Sequence, residues 1–114
     1  LTTRIHRIKN QKDSVLDKAY FNDAHFQKIN NIIKKSEAKN IHVFFVITPR
    51  LSDYKELNSI KTQIPERNII DLSDPDQYPF LYQAKYSFDI GHLNEKGADL
   101  FTQYAAEKVQ EILK

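Results

Sequence analysis

The most apolar stretch of the chain, IHVFFVI at residues 41–47, constrains its fold more than any other part of the sequence. Residues 43–47 are uninterrupted apolar side chains of β-branched and aromatic types. A strand that is apolar on both faces is typical of a parallel sheet covered on both sides. Thr48 and Pro49 follow directly. Because proline cannot donate to the ladder, the sequence predicts that the strand ends there.

Helical patterns are predicted on both sides of this strand. Upstream, Asn22 or Asp23 can cap a helix whose apolar residues recur at helical spacing and which fades near residues 39–40. Downstream, residues 51–60 carry a second helical pattern, and Pro65 stops any continuation.

A second buried strand and a final helix complete the pattern. NIIDL at residues 68–72 indicates a short apolar strand, and SDPDQYP at residues 73–79 has the composition of a turn. The aromatic segment at residues 80–88 has no clear assignment. From Asn94 onward, apolar residues at helical spacing predict an amphipathic helix that continues to the C-terminus.

The order of these elements predicts an α/β fold. Alternating helices and strands favour a parallel sheet with right-handed crossovers, within one domain over residues 1–114 whose first 20 residues are weakly patterned. Both strands read as central, and a central strand needs a neighbour on each side. We therefore expect further strands, either from upstream sequence or from another copy of the chain. Bare sheet edges would favour a homodimer.

Composition excludes several classes of function. Lysine and arginine total 17 against 15 acidic residues, which does not favour nucleic acid as a partner. No cysteine is present, and no HExxH pattern joins the other histidines, so no metal site is predicted. Two glycines cannot build a phosphate-cradling loop, so no nucleotide cofactor is expected. The longest apolar run is far below the roughly 20 residues of a membrane span, so no membrane segment is predicted.

The residues that point to chemistry are Asp89 and His92, at the mouth of the last helix. In open α/β sheets, sites form in the loops beyond the carboxyl ends of the strands. A histidine that acts as general base needs an acceptor on its far nitrogen, and an aspartate three residues earlier can supply one. Gly91 would allow a tight turn between the two, and Asn94 would cap the following helix.

The block FDIGHLNEKGADLF resembles the C-terminal block of the SGNH (GDSL-like) hydrolases. That block reads Asp-x-x-His, then Leu/Pro-Asn-x-x-Gly and a final helix; Asp89, His92, Asn94 and Gly97 fill its places. The apolar strand ending in Thr-Pro is similar to the strand that precedes this block in the family. The resemblance covers roughly residues 22–113.

The resemblance implies a three-layer α/β/α fold, flavodoxin-like in strand order, and a serine esterase or acyltransferase mechanism. It also implies a nucleophilic serine in an upstream Gly-Asp-Ser block, which this chain lacks, so we expect the C-terminal half of such a domain. FND at residues 21–23 is similar to the family's oxyanion-donor block without its glycine, and a helix N-cap is the simpler interpretation of Asn22. The expected substrate is a small-molecule or carbohydrate ester, such as an acylated cell-surface polysaccharide, in an extracytoplasmic setting.

Other interpretations remain open at this point. Asp89 and His92 can form ordinary loop hydrogen bonds in a non-catalytic binding or assembly module that keeps the fold, and a flavodoxin-like receiver domain is a further alternative. The aromatic residues of the segment after the second strand can line a sugar-binding surface or anchor the loop. They are Tyr78, Phe80, Tyr82, Tyr86 and Phe88.

Overall fold

A computed structural model describes residues 23–49, 59–89 and 91–114 of the chain. The main elements are α1 (Asp23–Ala38), β1 (Phe45–Ile47), β2 (Ile69–Asp71) and α2 (Glu95–Leu113). In the described ranges, three short 3-10 helices lie between these elements, at Glu66–Asn68, Pro79–Tyr82 and Ala84–Tyr86. Asn22, for which the sequence favours a helix N-cap over an oxyanion donor, lies outside the described residues. Most of the predicted helix over residues 51–60 does too, although residues 59–61 are helical.

The two strands pair in parallel, as their apolar sequences predict. Phe45 lies opposite Ile69, and Ile47 lies opposite Asp71. The Leu72 N–H donates to the Ile47 carbonyl at 3.0 Å and extends the pairing by one bond. Within the described residues the sheet has these two strands. The chain is therefore an α/β structure with a parallel pair, and the three-layer flavodoxin-like arrangement stays a prediction.

β1 is shorter and less covered than its sequence predicts. The chain reaches β2 through the 3-10 helix that ends at Asn68, so no extended backbone lies opposite residues 43–44. The side-chain amide of Asn68 donates instead to the Val43 carbonyl at 3.0 Å. Val46, in the middle of β1, is 43% exposed, so the prediction of a strand buried on both faces is wrong for the described part of the chain.

The core forms between β2, the aromatic segment and one face of α2. Its buried centre comprises Ile70, Leu72, Tyr78 and Leu81. Side chains of α2 at helical spacing, from Leu100 to Ile112, pack against this centre together with Phe44 and Phe80. The burial of this face confirms the predicted amphipathic helix.

α1 occupies the range that its pattern predicts and is joined to the segment before β2. Ile33 is its buried residue. Near the end of α1, Glu37 accepts from the Arg67 guanidinium at 2.7 Å. Both partners of this ion pair are largely exposed, so it contributes little to stability. Among the helices that the structure describes, none is long and apolar enough to cross a bilayer.

Candidate active site

A tight hairpin between the last 3-10 helix and α2 carries the two predicted site residues. Ser87 and Leu93 form an antiparallel bridge, and the Phe88 N–H donates to the His92 carbonyl at 2.9 Å. These bonds turn the chain back on itself within six residues of Ser87. Asp89 and His92, three positions apart, are thereby brought side by side.

The Asp89 carboxylate holds the His92 ring through its Nδ1 atom. The distances from Nδ1 to the two carboxylate oxygens are 2.8 and 3.0 Å. Because an ionised carboxylate only accepts hydrogen bonds, Nδ1 carries the proton and donates it. Nε2 of His92 is then the nitrogen left to take up or release a proton. This is the orientation that a general base requires.

The Asp89 carboxylate is itself fixed by the backbone of the turn. The Gly91 N–H donates to Oδ1 at 2.8 Å. This bond, and after it the bond from His92, lowers the pKa of the Asp89 carboxyl below its ordinary value of 3.8. Because the folded state lowers this pKa, the carboxylate stabilises the hairpin above the ordinary value, and that stabilisation is lost as the pH falls through the folded-state pKa.

Both side chains of the pair are open to solvent. The His92 side chain is 76% exposed and that of Asp89 is 49% exposed. At such exposure the interaction is screened by water, so it orients the ring more than it stabilises the fold. The described residues therefore present an oriented acid–base pair on a surface, where a substrate or a covering segment can reach it.

Asn94 fixes the entry of the hairpin into α2 through all four of its polar groups. Its side-chain oxygen accepts from the Gly97 N–H at 2.9 Å, which makes it the N-cap of α2. Its side-chain amide donates to the Lys85 carbonyl at 2.8 Å. Its backbone N–H donates to the Tyr86 carbonyl, and its own carbonyl accepts from Ala98. The predicted cap is confirmed, and it also ties the hairpin to the preceding 3-10 helix.

Gly97, rather than Gly91, is the glycine that the backbone requires. A Cβ atom on Gly97 would overlap the carbonyl oxygen of Tyr86 and lie 3.1 Å from its carbonyl carbon. The predicted tight turn between Asp89 and His92 is present, but Gly91 has no positive φ, so the turn does not depend on a glycine there. The nearest atom that a Cβ there would meet is Oδ1 of Asp89, at 3.9 Å.

Most of the aromatic residues before the hairpin are anchors. Tyr78 and Tyr82 are buried, and the Tyr82 hydroxyl donates to the Ser73 carbonyl. The Phe80 ring stacks on Tyr104 of α2, with 5.0 Å between centroids. These contacts favour the anchoring interpretation for three of the five aromatic residues.

A polar cluster at the carboxyl end of β2 is a feature that the sequence does not predict. Asp71 accepts from Lys61 Nζ at 2.7 Å and from the Ser73 backbone N–H at 2.9 Å. Lys61 also donates to the Ser73 hydroxyl at 2.9 Å. The spacing Asp-x-Ser can indicate the local turn. Nothing in the sequence indicates that Asp71 pairs with Lys61, ten residues earlier. Ser73 is fully buried, so this cluster closes the strand end and does not present a nucleophile.

The other described histidines do not join the pair in a metal site. The described part of the chain contains no group of three histidine, aspartate or glutamate side chains that could hold a metal ion. His42, which was placed in the strand by its sequence, lies before β1; its ring stacks on Phe44 and its Nε2 donates to the Arg67 carbonyl at 2.6 Å. These contacts give His42 a structural role.

In comparisons with protein-family models, curated proteins and solved structures, no significant match to this chain was found. The SGNH-like interpretation therefore rests on the residues of the block around Asp89 and His92.

Proposed function

We propose that this chain is the C-terminal part of a serine esterase or acyltransferase, to which it supplies the general base and its orienting acid. The observation that carries the proposal is the contact of His92 Nδ1 with both Asp89 carboxylate oxygens, at 2.8 and 3.0 Å. This contact leaves Nε2 oriented away from the acid, in the arrangement of a serine triad that lacks its serine.

In the proposed mechanism, His92 Nε2 removes the proton from a serine hydroxyl as the serine oxygen attacks the ester carbonyl. Asp89 keeps the ring in the required tautomer and stabilises the imidazolium that forms. The imidazolium then gives its proton to the departing alcohol oxygen. Water or an acceptor alcohol attacks the acyl-serine in the second half-reaction, with His92 again as base.

The serine and the oxyanion donors of this mechanism come from sequence upstream of the chain. The proposed substrate is an acyl ester, such as an acyl group on a cell-surface polysaccharide. The exposure of the pair supports this arrangement, because a 76% exposed His92 leaves space for the segment that carries the serine and for the substrate.

The test is turnover of p-nitrophenyl acetate by the longer protein of which this chain is proposed to be a part. We expect His92→Ala to lower kcat/KM by about 10²- to 10⁴-fold, the range for loss of a general base. The matched control is His25→Ala, which removes an exposed histidine on α1. Equal turnover by wild type and His92→Ala would contradict the proposal.

A non-catalytic module is the second candidate, and the lack of a Gly-Asp-Ser motif in this chain favours it. A fluorophosphonate probe, which labels only activated serines, separates the two candidates. The enzyme predicts covalent labelling of an upstream serine that His92→Ala abolishes, whereas the module predicts that no serine is labelled.

A further inference from the structure

Phe88 is the most exposed large apolar side chain in the described part of the structure. It is 79% exposed, whereas the other exposed apolar side chains of the described residues range from 43 to 59%. It directly precedes Asp89 in the hairpin. An exposed apolar residue by itself needs no explanation, so its position relative to the pair decides its meaning.

The register of the hairpin places Phe88 beside His92. Because Ser87 bridges Leu93, the next positions inward, Phe88 and His92, lie opposite each other. The bond from the Phe88 N–H to the His92 carbonyl fixes their backbones together. Phe88 is thus the residue opposite His92, and its exposed side chain belongs to a residue that a backbone hydrogen bond joins to the candidate base.

The fold does not use the Phe88 ring as it uses the neighbouring aromatic rings. Tyr78 and Tyr82 are buried, and Phe80 stacks on α2. The Tyr86 ring lies 5.0 Å from Lys85 Nζ, and the Tyr86 carbonyl is held by Asn94. Of the five aromatic residues in this segment, Phe88 is the one whose apolar surface faces solvent next to the candidate base.

We propose that Phe88 determines substrate specificity, by holding its ring against the apolar C–H surface of an ester bound at His92. The inference rests on the proposed function and adds the kind of substrate group that the site selects. A serine oxygen that loses its proton to Nε2 lies within hydrogen-bond reach of it, and the ester carbonyl lies about 3–3.5 Å beyond that oxygen. Groups on either side of the ester then come within reach of the exposed side chain of the residue opposite His92.

Two parts of an ester can supply this apolar surface, namely the acyl chain or the C–H face of a sugar ring. Three variants distinguish them. Phe88→Ala removes the whole surface, Phe88→Leu keeps an apolar side chain without a flat ring, and Phe88→Trp keeps the flat ring. A flat ring matters for contact with a sugar face, whereas any apolar side chain of similar size can cover an acyl chain.

The first arm of the test measures kcat/KM of the longer protein for p-nitrophenyl acetate, propionate and butyrate. If Phe88 contacts the acyl chain, we expect the wild type to gain about two- to fourfold per added methylene, the range for partial to full burial of a methylene. Phe88→Ala should lose this gain, so that its kcat/KM values for the three esters lie closer together than those of the wild type, and Phe88→Leu should keep most of the gain.

The second arm compares a singly acetylated methyl glucoside with ethyl acetate. If Phe88 contacts a sugar ring, we expect the wild type to favour the sugar ester by about five- to tenfold, the range for burial of roughly 40–55 Å² of C–H surface. Phe88→Ala and Phe88→Leu should both lose this preference, and Phe88→Trp should retain it. Loss of preference in either arm supports the inference and identifies the part of the substrate that the ring contacts.

The control variant is Leu113→Ala, an exposed apolar residue at the far end of α2, about 28 Å along the helix from its cap. It should leave both preferences unchanged. Profiles of Phe88→Ala that run parallel to wild type in both arms would overturn the inference, as would an equal loss on every ester. The proposed function fails separately, when His92→Ala leaves ester turnover unchanged or when the wild type turns over no ester.

Discussion

Gly97 shows how a single residue fixes the position of the hairpin on α2. Its α-carbon lies against the Tyr86 carbonyl, at the point where the 3-10 helix before the hairpin crosses the first turn of α2. Any side chain at this position would push the two backbones apart. The contact gives a physical reason for a glycine at position 97.

We expect Gly97→Ala to lower the free energy of unfolding by about 1–3 kcal/mol, the usual cost of forcing an extra carbon into a packed site. The clash is with backbone, which cannot turn aside as a flexible side chain can. Urea denaturation of wild type and variant measures the difference.

Gly91→Ala is the matched control for this substitution. The Gly91 backbone has no positive φ, and its added Cβ would meet no atom closer than 3.9 Å. The variant should unfold within about 0.5 kcal/mol of wild type. Equal destabilisation by the two alanines would show that the close contact with the Tyr86 carbonyl does not require a glycine at position 97.

At the scale of elements, α2 is held to the hairpin by a cap with two separable functions. The Asn94 side-chain oxygen caps the helix at the Gly97 N–H, and the side-chain amide reaches back to the Lys85 carbonyl. The first function belongs to any good N-cap residue, whereas the second needs a donor on the same side chain.

Substitutions at Asn94 separate these functions. Asn94→Ala should cost about 1–2 kcal/mol of unfolding free energy, because it removes both bonds. Asn94→Asp keeps the acceptor and adds a favourable charge at the helix N-terminus, so it should cost less than Asn94→Ala. Thermal unfolding of the three proteins at neutral pH gives the ranking, and equal losses for the alanine and aspartate variants would contradict the assignment of the cap.

The elements also show which parts of the fold the sequence predicts. α1, α2 and β2 lie close to their predicted ranges, because helical spacing and apolar strand composition are local signals. β1 is shorter than predicted, because its length depends on where its partner becomes extended. The partner strand β2 begins only after the 3-10 helix that ends at Asn68, and the sequence near β1 does not indicate this.

At the scale of the whole molecule, Tyr82 connects the sheet to the segment that leads into the hairpin. Its side chain is fully buried, and its hydroxyl donates to the Ser73 carbonyl at 2.5 Å. Ser73 in turn belongs to the polar cluster with Asp71 and Lys61. The hydrogen bond from the Tyr82 hydroxyl thus joins the end of β2 to the segment that leads into the hairpin.

Removal of that hydroxyl should loosen the connection. Tyr82→Phe keeps the ring and its packing but removes the donor to a fully buried serine, so we expect a loss of about 1–3 kcal/mol in unfolding free energy. The control is Tyr104→Phe on α2, whose residue is only partly buried and should tolerate the change within about 0.5 kcal/mol. Chemical denaturation of both variants checks the prediction, and equal stability of Tyr82→Phe and wild type would refute it.

The same scale separates the predictable from the unpredictable parts of the candidate site. The pairing of Asp89 with His92 can be predicted from sequence, because it depends on a turn of three residues and an adjacent cap. The contacts of Lys61 and Tyr82 with Ser73 cannot be predicted, because they join segments that only the folded chain brings together. Tertiary packing likewise decides which of the five aromatic residues of this segment is left exposed, so the exposure of Phe88 cannot be predicted from local sequence.

The local bonding of the hairpin has a consequence for the order of folding. The bonds that hold Asp89 and His92 join residues no more than nine positions apart, whereas the partners of β1 and β2 are separated by 24 positions. Short contacts form within about 1–10 μs, and long-range parallel pairing follows more slowly because a larger loop must close first. The hydrogen bond between Asp89 and His92 should therefore form transiently while the sheet is still unpaired. Docking of α2 on the core then stabilises it.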